Sequence, residues 1–143
     1  SSRGLTLAKK GPTPKERHRA GVIHRWGLRC YAYDAGCSGR VEAAHYISAQ
    51  RLREEQRKIK LSAYRFALDD PRHGLTQSSL DELIADDRNG IPLCSEHHNA
   101  FDGKRADPLI IVAPACVIEF AQDYGLTHLI EFPTQEETPN AAA

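Results

Sequence analysis

Apolar positions along this chain recur at helical spacing in some stretches and in short extended runs in others. Thr13-Pro14-Lys15-Glu16 combines a hydroxyl cap, a proline at the first helical position and a glutamate three residues past the cap. This pattern satisfies two orphan amides reciprocally and predicts a helix to about Trp26. Ala20, Ile23 and Trp26 form its apolar stripe, Arg17, Arg19, His24 and Arg25 fill the rest, and Gly27 can terminate it. Residues 28–33 and 41–46 read as two short strands flanking the turn Asp34-Ala35-Gly36-Cys37-Ser38-Gly39. Residues 48–68 read as a charged helix whose thin stripe of Leu52, Ile59, Ala63 and Phe66 predicts packing on one side only, with Asp69-Asp70-Pro71 ending it.

After a loop through Gly74, Ser79 and Glu82 make a second capping box for a short helix carrying Leu80, Leu83 and Ile84. Asn89-Gly90 is a turn signal, residues 91–93 an extended segment, and residues 95–102 a helix stopped by Gly103. Residues 109–112 predict another strand, and a last helix starts at Pro114, carries Val117, Ile118, Phe120 and Ala121, and reaches at least Tyr124. The elements make an α+β protein: one domain over residues 13–133, a flexible basic arm over 1–12 and a frayed tail over 134–143.

Composition sharpens this picture in two places. The chain has 143 residues, 41% hydrophobic and 27% charged, the make-up of one globular domain. Its longest apolar run, residues 109–113, is far short of the roughly 20 residues a membrane-spanning helix needs. No secretory leader pattern opens it, so a cytoplasmic protein is expected, and the start Ser1-Ser2-Arg3-Gly4, without an initiator Met, reads as a processing scar or a cut from something longer. Formal net charge is zero, yet residues 1–65 hold 15 Lys and Arg against 5 Asp and Glu, while residues 66–143 hold 4 against 14. Such a basic half points to a polyanion, nucleic acid first, because each neutralised phosphate releases counterions. The other readings are that the halves pair across the fold or that the charges are solvated helix faces.

Chemistry-bearing residues concentrate in two segments, Val41-Glu42-Ala43-Ala44-His45-Tyr46-Ile47 and Asn89-Gly90-Ile91-Pro92-Leu93-Cys94-Ser95-Glu96-His97-His98-Asn99-Ala100-Phe101-Asp102. A strand ending in His, a turn containing Asn, a second strand and a helix carrying His make a strand-strand-helix unit. Over about residues 30–104 the chain resembles the HNH endonuclease family, whose motif is His, Asn and His in this order and setting. The connection of residues 48–88 is longer than the family's usual loop. The resemblance implies a ββα-metal core and a DNA endonuclease. His45 would be the general base that activates water, Asn89 the group that orients its imidazole, and His98 a ligand of a catalytic divalent metal, Mg²⁺ or Mn²⁺. An imidazole with a pKa near 6.5 suits that proton transfer at neutral pH, and a Lewis acid offsets the charge that builds on phosphate oxygens. A bacterial or phage-like origin is a further expectation from the family.

The family commonly places Asp or His just before the base as a second metal ligand, and this chain has Ala44. Asp102, four residues after His98 and so on the same helix face, is read as the substitute ligand, the alternatives being a surface carboxylate at the helix end and a metal held by His98, phosphate oxygens and waters alone. Glu42 receives little weight, since strand alternation turns it away from His45. Cys30, Cys37, Cys94 and His97 suggest a Cys₃His structural zinc site, with buried free thiols the competing reading, and Cys116 is expected in the core. Trp26 is read as core, and His18, His24, His73 and His128 as surface or satisfied histidines. With a nuclease motif present, Lys9, Lys10, Lys15, Arg17, Arg19 and Arg25 and, on the charged helix, Arg51, Arg53, Arg57, Lys58 and Lys60 are read as phosphate contacts. The rival functions are a degenerate, zinc-stabilised DNA-binding module, a junction-specific nuclease, and a nuclease domain cut from a toxin. Double-strand cutting with one site per chain would favour a homodimer or two sequential nicks.

Overall fold

In the computed structural model, which describes residues 11–62 and 66–133, helix α1 (Pro14–Trp26) begins where its capping box predicts. The Thr13 hydroxyl accepts from the Glu16 amide at 3.1 Å, and the Glu16 carboxylate accepts from the Thr13 amide at 2.7 Å. The face it buries differs from the expected Ala20, Ile23 and Trp26 stripe. His18 and Val22 are buried, Ala20 is exposed, and Ile23 and Trp26 are half-buried. The cause is tertiary. Gly90 lets α1 settle directly on the chain opposite, where an added Cβ would stand 2.3 Å from Val22 Cγ2 and 2.7 Å from His18 Nε2.

Strands β1 (Val41–His45) and β2 (Gly90–Cys94) pair antiparallel, with Val41 opposite Cys94 and His45 opposite Gly90. Helix α5 (Ser95–Phe101) follows β2 without a loop, its first turn capped by the Cys94 sulfur, which accepts from the His97 amide. The register therefore fixes both ends of the unit: His45 beside the Asn89 turn at one end, Cys94 and the start of α5 at the other. Around it lie α2 (Ala49–Leu61), α3 (Pro71–Gln77), α4 (Leu80–Ala85), α6 (Ala115–Tyr124) and a 3₁₀ turn (Thr127–Leu129). Leu52, Leu75, Leu83, Ile91, Leu93 and Phe120 are fully buried between these layers. The fold is α+β, as expected.

Four local expectations are corrected. Residues 28–33 form turns instead of a strand. The Tyr31 amide donates to the Pro92 carbonyl at 2.7 Å, but proline has no amide to return, so a ladder cannot propagate along that edge of β2. Residues 109–112 are not a strand either, the Leu109 amide donating to the Ala100 carbonyl at the end of α5. The charged helix stops at Leu61 instead of about residue 68; Ala63 of its expected stripe lies outside the described residues. Asp70-Pro71 starts a helix: the Asp70 carboxylate accepts from the Arg72 amide at 2.9 Å, and Pro71 occupies a first-turn position that needs no amide donor. The expected arm, apart from residues 11 and 12, and the expected tail lie outside the described residues, as do Lys9 and Lys10. Among the described residues no helix is long and apolar enough to cross a membrane.

Candidate functional site

His45 ends β1 and lines two adjoining clefts of about 320 and 500 Å³. Its Nε2 lies 2.8 Å from the Ile84 carbonyl at the end of α4. A carbonyl only accepts, so Nε2 carries the proton, and in the neutral ring Nδ1 holds the lone pair. Sequence reasoning gave this holding role to Asn89, and the structure corrects it. The buried Asn89 side chain instead accepts from the Ile47 amide at 2.8 Å and donates to the Ile47 carbonyl at 2.9 Å. A primary amide offers an adjacent donor and acceptor that match the backbone N–H and C=O of one extended residue. Asn89 thus clamps the backbone two residues past His45, and its own carbonyl accepts from His18 Nε2 at 3.0 Å.

His18 is the neighbour that the sequence left among satisfied histidines. Its ring stacks on His45 with centroids 3.6 Å apart and planes at 11°. Burial first, and then the adjacent His18 ring, bring the His45 pKa down to about 4 against the opposing pull of the Ile84 carbonyl. Burial also lowers His18, opposed by the Asn89 carbonyl and by Asp87 and Asp86. The folded state therefore refuses protons that the unfolded chain binds near pH 6.5, so stability present above that pH is lost as pH falls towards 4. The urea midpoint is expected to fall between pH 7 and pH 5, by about 2 kcal/mol of unfolding free energy from His45 alone. A midpoint unchanged across that interval contradicts this account.

On α5, His98 Nδ1 donates to Glu42 Oε1 at 2.6 Å, so that in the neutral ring Nε2 is the lone-pair nitrogen, and Nε2 lies 3.5 Å from Asp102 Oδ2. The hydrogen bond from His98 lowers the Glu42 pKa, against burial and helped by a second bond from the Ser95 hydroxyl at 3.1 Å. Glu42 was set aside on strand alternation, which ignores the helix crossing the start of β1. Its carboxylate holds the His98 ring by Nδ1, as carboxylates orient metal-ligating histidines. An imidazole nitrogen and a carboxylate oxygen 3.5 Å apart can share one hard cation at about 2.1 Å from each, with waters completing the shell. His45, His98, Asp102, His18 and Lys15 line the smaller cleft together. Ala44, where a ligand was missed, is fully buried opposite Ile91.

The second cluster is separate. Cys30, Cys37, Cys94 and His97 present ligand atoms that all lie within 4.8 Å of one another. His97 Nδ1 faces the three sulfurs at 3.4, 3.5 and 3.2 Å, close to the edge of about 3.5 Å in a tetrahedron with Zn–S near 2.3 Å and Zn–N near 2.0 Å. His97 Nε2 is 3.2 Å from Asp34, the carboxylate that fixes this tautomer. Burial, which alone raises a thiol, is outweighed at Cys94 by the amides of His97 and Ser38 aimed at its sulfur, and its pKa falls to about 7. The donor set suits a thiophilic metal ion. The adjacent histidines thus part, His97 to the cysteines and His98 to the cleft.

Residues 27–105, more than half of the chain, match the family model described as HNH endonuclease. The chain belongs to that family. No curated protein and no solved structure gives a match. HNH membership implies a nuclease-type function and a divalent metal, and the match contains His45, Asn89, His98, Asp102 and the cysteine cluster, whereas α1, with Lys15 and His18, lies outside it. Around the HNH unit, Lys15 lines the smaller cleft and Arg51 the larger. Arg17, Arg53, Arg57, Lys58 and Lys60 are exposed and Arg19 half-exposed. Lys58 also lies 3.4 Å from Glu55, and Arg25 is bound to Asp87 at 2.7 Å, so at Arg25 the basic and acidic halves do pair across the fold. Trp26 is half-buried with its indole N–H on the Gly90 carbonyl, and Cys116 packs at the core's edge. His128 is paired with Glu55.

Proposed function

We propose that this HNH protein is a metal-dependent endonuclease that hydrolyses DNA phosphodiester bonds, with His45 as general base. The observation that carries the reading is the Nε2–H bond to Ile84, which leaves Nδ1 as proton acceptor on a ring that shares a cleft with His98 and Asp102. A water in that cleft attacks phosphorus as its proton passes to His45 Nδ1. The new P–O bond forms and the bond to the 3′ oxygen breaks, the leaving oxygen taking up a proton from solvent. His98 and Asp102 would hold a divalent cation, Mg²⁺ or Mn²⁺, which supplies charge stabilisation at the phosphate when bound. Glu42 keeps His98 in the ligating tautomer, and Asn89 acts on His45 through the Ile47 backbone. Lys15 and Arg51, on either side of His45, and the exposed bases of α2 would lead the backbone across the clefts. The Cys₃His cluster would hold a structural zinc that fixes the start of α5.

Plasmid nicking across Mg²⁺, Mn²⁺ and chelator tests the reading. Supercoiled DNA is expected to relax only with a divalent ion, and DNA is expected to stay bound in chelator. Binding with no cleavage under any metal would mark the chain as a DNA-binding module. Linear duplex, branched DNA and RNA run side by side identify the preferred substrate.

A further inference from the structure

His18 belongs to α1, which precedes the segment shared with the family, yet it makes the closest ring contact with His45. Its burial is not the inexpensive way to fill that space. The residue is 1% exposed, and an aliphatic side chain at that helix position would bury similar volume without a polar ring to satisfy. Three features of the chain are arranged around it. Gly90 lacks the Cβ that would collide with its Nε2, the Asn89 carbonyl takes its N–H at 3.0 Å, and its face lies flat on His45.

We propose that His18 is a positioning residue for His45, its ring closing one face of the base so that the imidazole cannot swing away from the Ile84 carbonyl. The proposal rests on the reading of His45 as base. Ile84 selects which nitrogen keeps the proton, and His18 holds the plane in which the other nitrogen aims. The contact also links the base to the Asn89 turn, because the same carbonyl that receives His18 belongs to the residue clamping Ile47. A misaimed proton acceptor slows the chemical step without weakening DNA binding.

His18→Leu keeps apolar volume and removes the flat ring, and His18→Phe keeps a flat ring without the N–H. His18→Leu is expected to lower kcat by roughly tenfold to a hundredfold with KM within about twofold of wild type, and His18→Phe to recover most of that loss. ¹⁵N imidazole spectra should show a single Nε2–H tautomer for His45 in the wild type and in His18→Phe, and a mixture in His18→Leu. Wild-type kcat in a folded His18→Leu, an unaltered His45 signature in that variant, or a His18→Phe as impaired as His18→Leu overturns the proposal. Wild-type cleavage by His45→Ala, run alongside, overturns the base assignment instead, and the spectra report on ring positioning without reference to activity.

Discussion

His45→Ala is expected to lower metal-dependent DNA cleavage by about 10²–10⁴-fold, the usual contribution of a positioned general base, while DNA binding and folding persist. Binding persists because Lys15, Arg51 and the exposed bases of α2 are untouched. Folding persists because the substitution removes a cleft-lining ring and not a core residue; the Ile84 carbonyl it releases costs about 1 kcal/mol. The loss should appear in kcat with KM little changed, and imidazole added to the reaction should restore part of the rate, since the vacated space lies open to the cleft. His98→Ala behaves differently, raising the metal concentration needed for cleavage. A well-folded His45→Ala that cleaves at the wild-type rate removes the proposed base.

Removal of metal from the cysteine cluster should have the largest effect on stability. Three sulfurs and one imidazole nitrogen converge there from the 28–37 turns, the end of β2 and the first turn of α5. One ion would tie the 28–37 turns to the contiguous end of β2 and first turn of α5. Elemental analysis is expected to give about one zinc per chain at such a closed Cys₃His site. Stripping it should lower Tm by at least roughly 10 °C, because the free energy of binding an ion at a site absent from the unfolded chain is folding free energy. His97→Ala should release the zinc and His98→Ala should retain it, although the two residues are neighbours. Nuclease activity should fall with the zinc and not return on adding Mg²⁺, because α5 carries His98 just beyond the cluster and Asp102 caps its end. A metal-free protein with unchanged Tm, or zinc retained by His97→Ala, contradicts this assignment.

Side chains that act on the backbone within a few residues could be read directly from the chain. Both capping boxes, Thr13 with Glu16 and Ser79 with Glu82, form as their spacing requires, because each closes within one helical turn. The His98 and Asp102 pair was legible for the same reason, as was the β2 to α5 step carrying Cys94 and His97. Where two segments meet, local pattern was a poorer guide. The apolar residues of α1 suggested one face, and the absence of a side chain at Gly90, more than 60 residues away, selected another, burying His18. Strand alternation, which set Glu42 aside, could not report that α5 would bring His98 within 2.6 Å of its carboxylate.

Sequence alone determined the α+β class, the starts of α1, α2, α4, α5 and α6, and the order of His45, Asn89 and His98, and it named the four residues that the structure gathers into the cysteine cluster. Periodicity, caps and motif spacing are short-range properties, and the motif's residue types are set by the chemistry they carry. Only the tertiary structure decided that Ile84 and not Asn89 holds the His45 ring, that His18 covers it, that Glu42 sets the His98 tautomer, and that His97 and His98 part into separate sites. Each of those is a contact between elements distant in the chain, fixed by how closely backbones can approach and by which buried polar atom must find a partner.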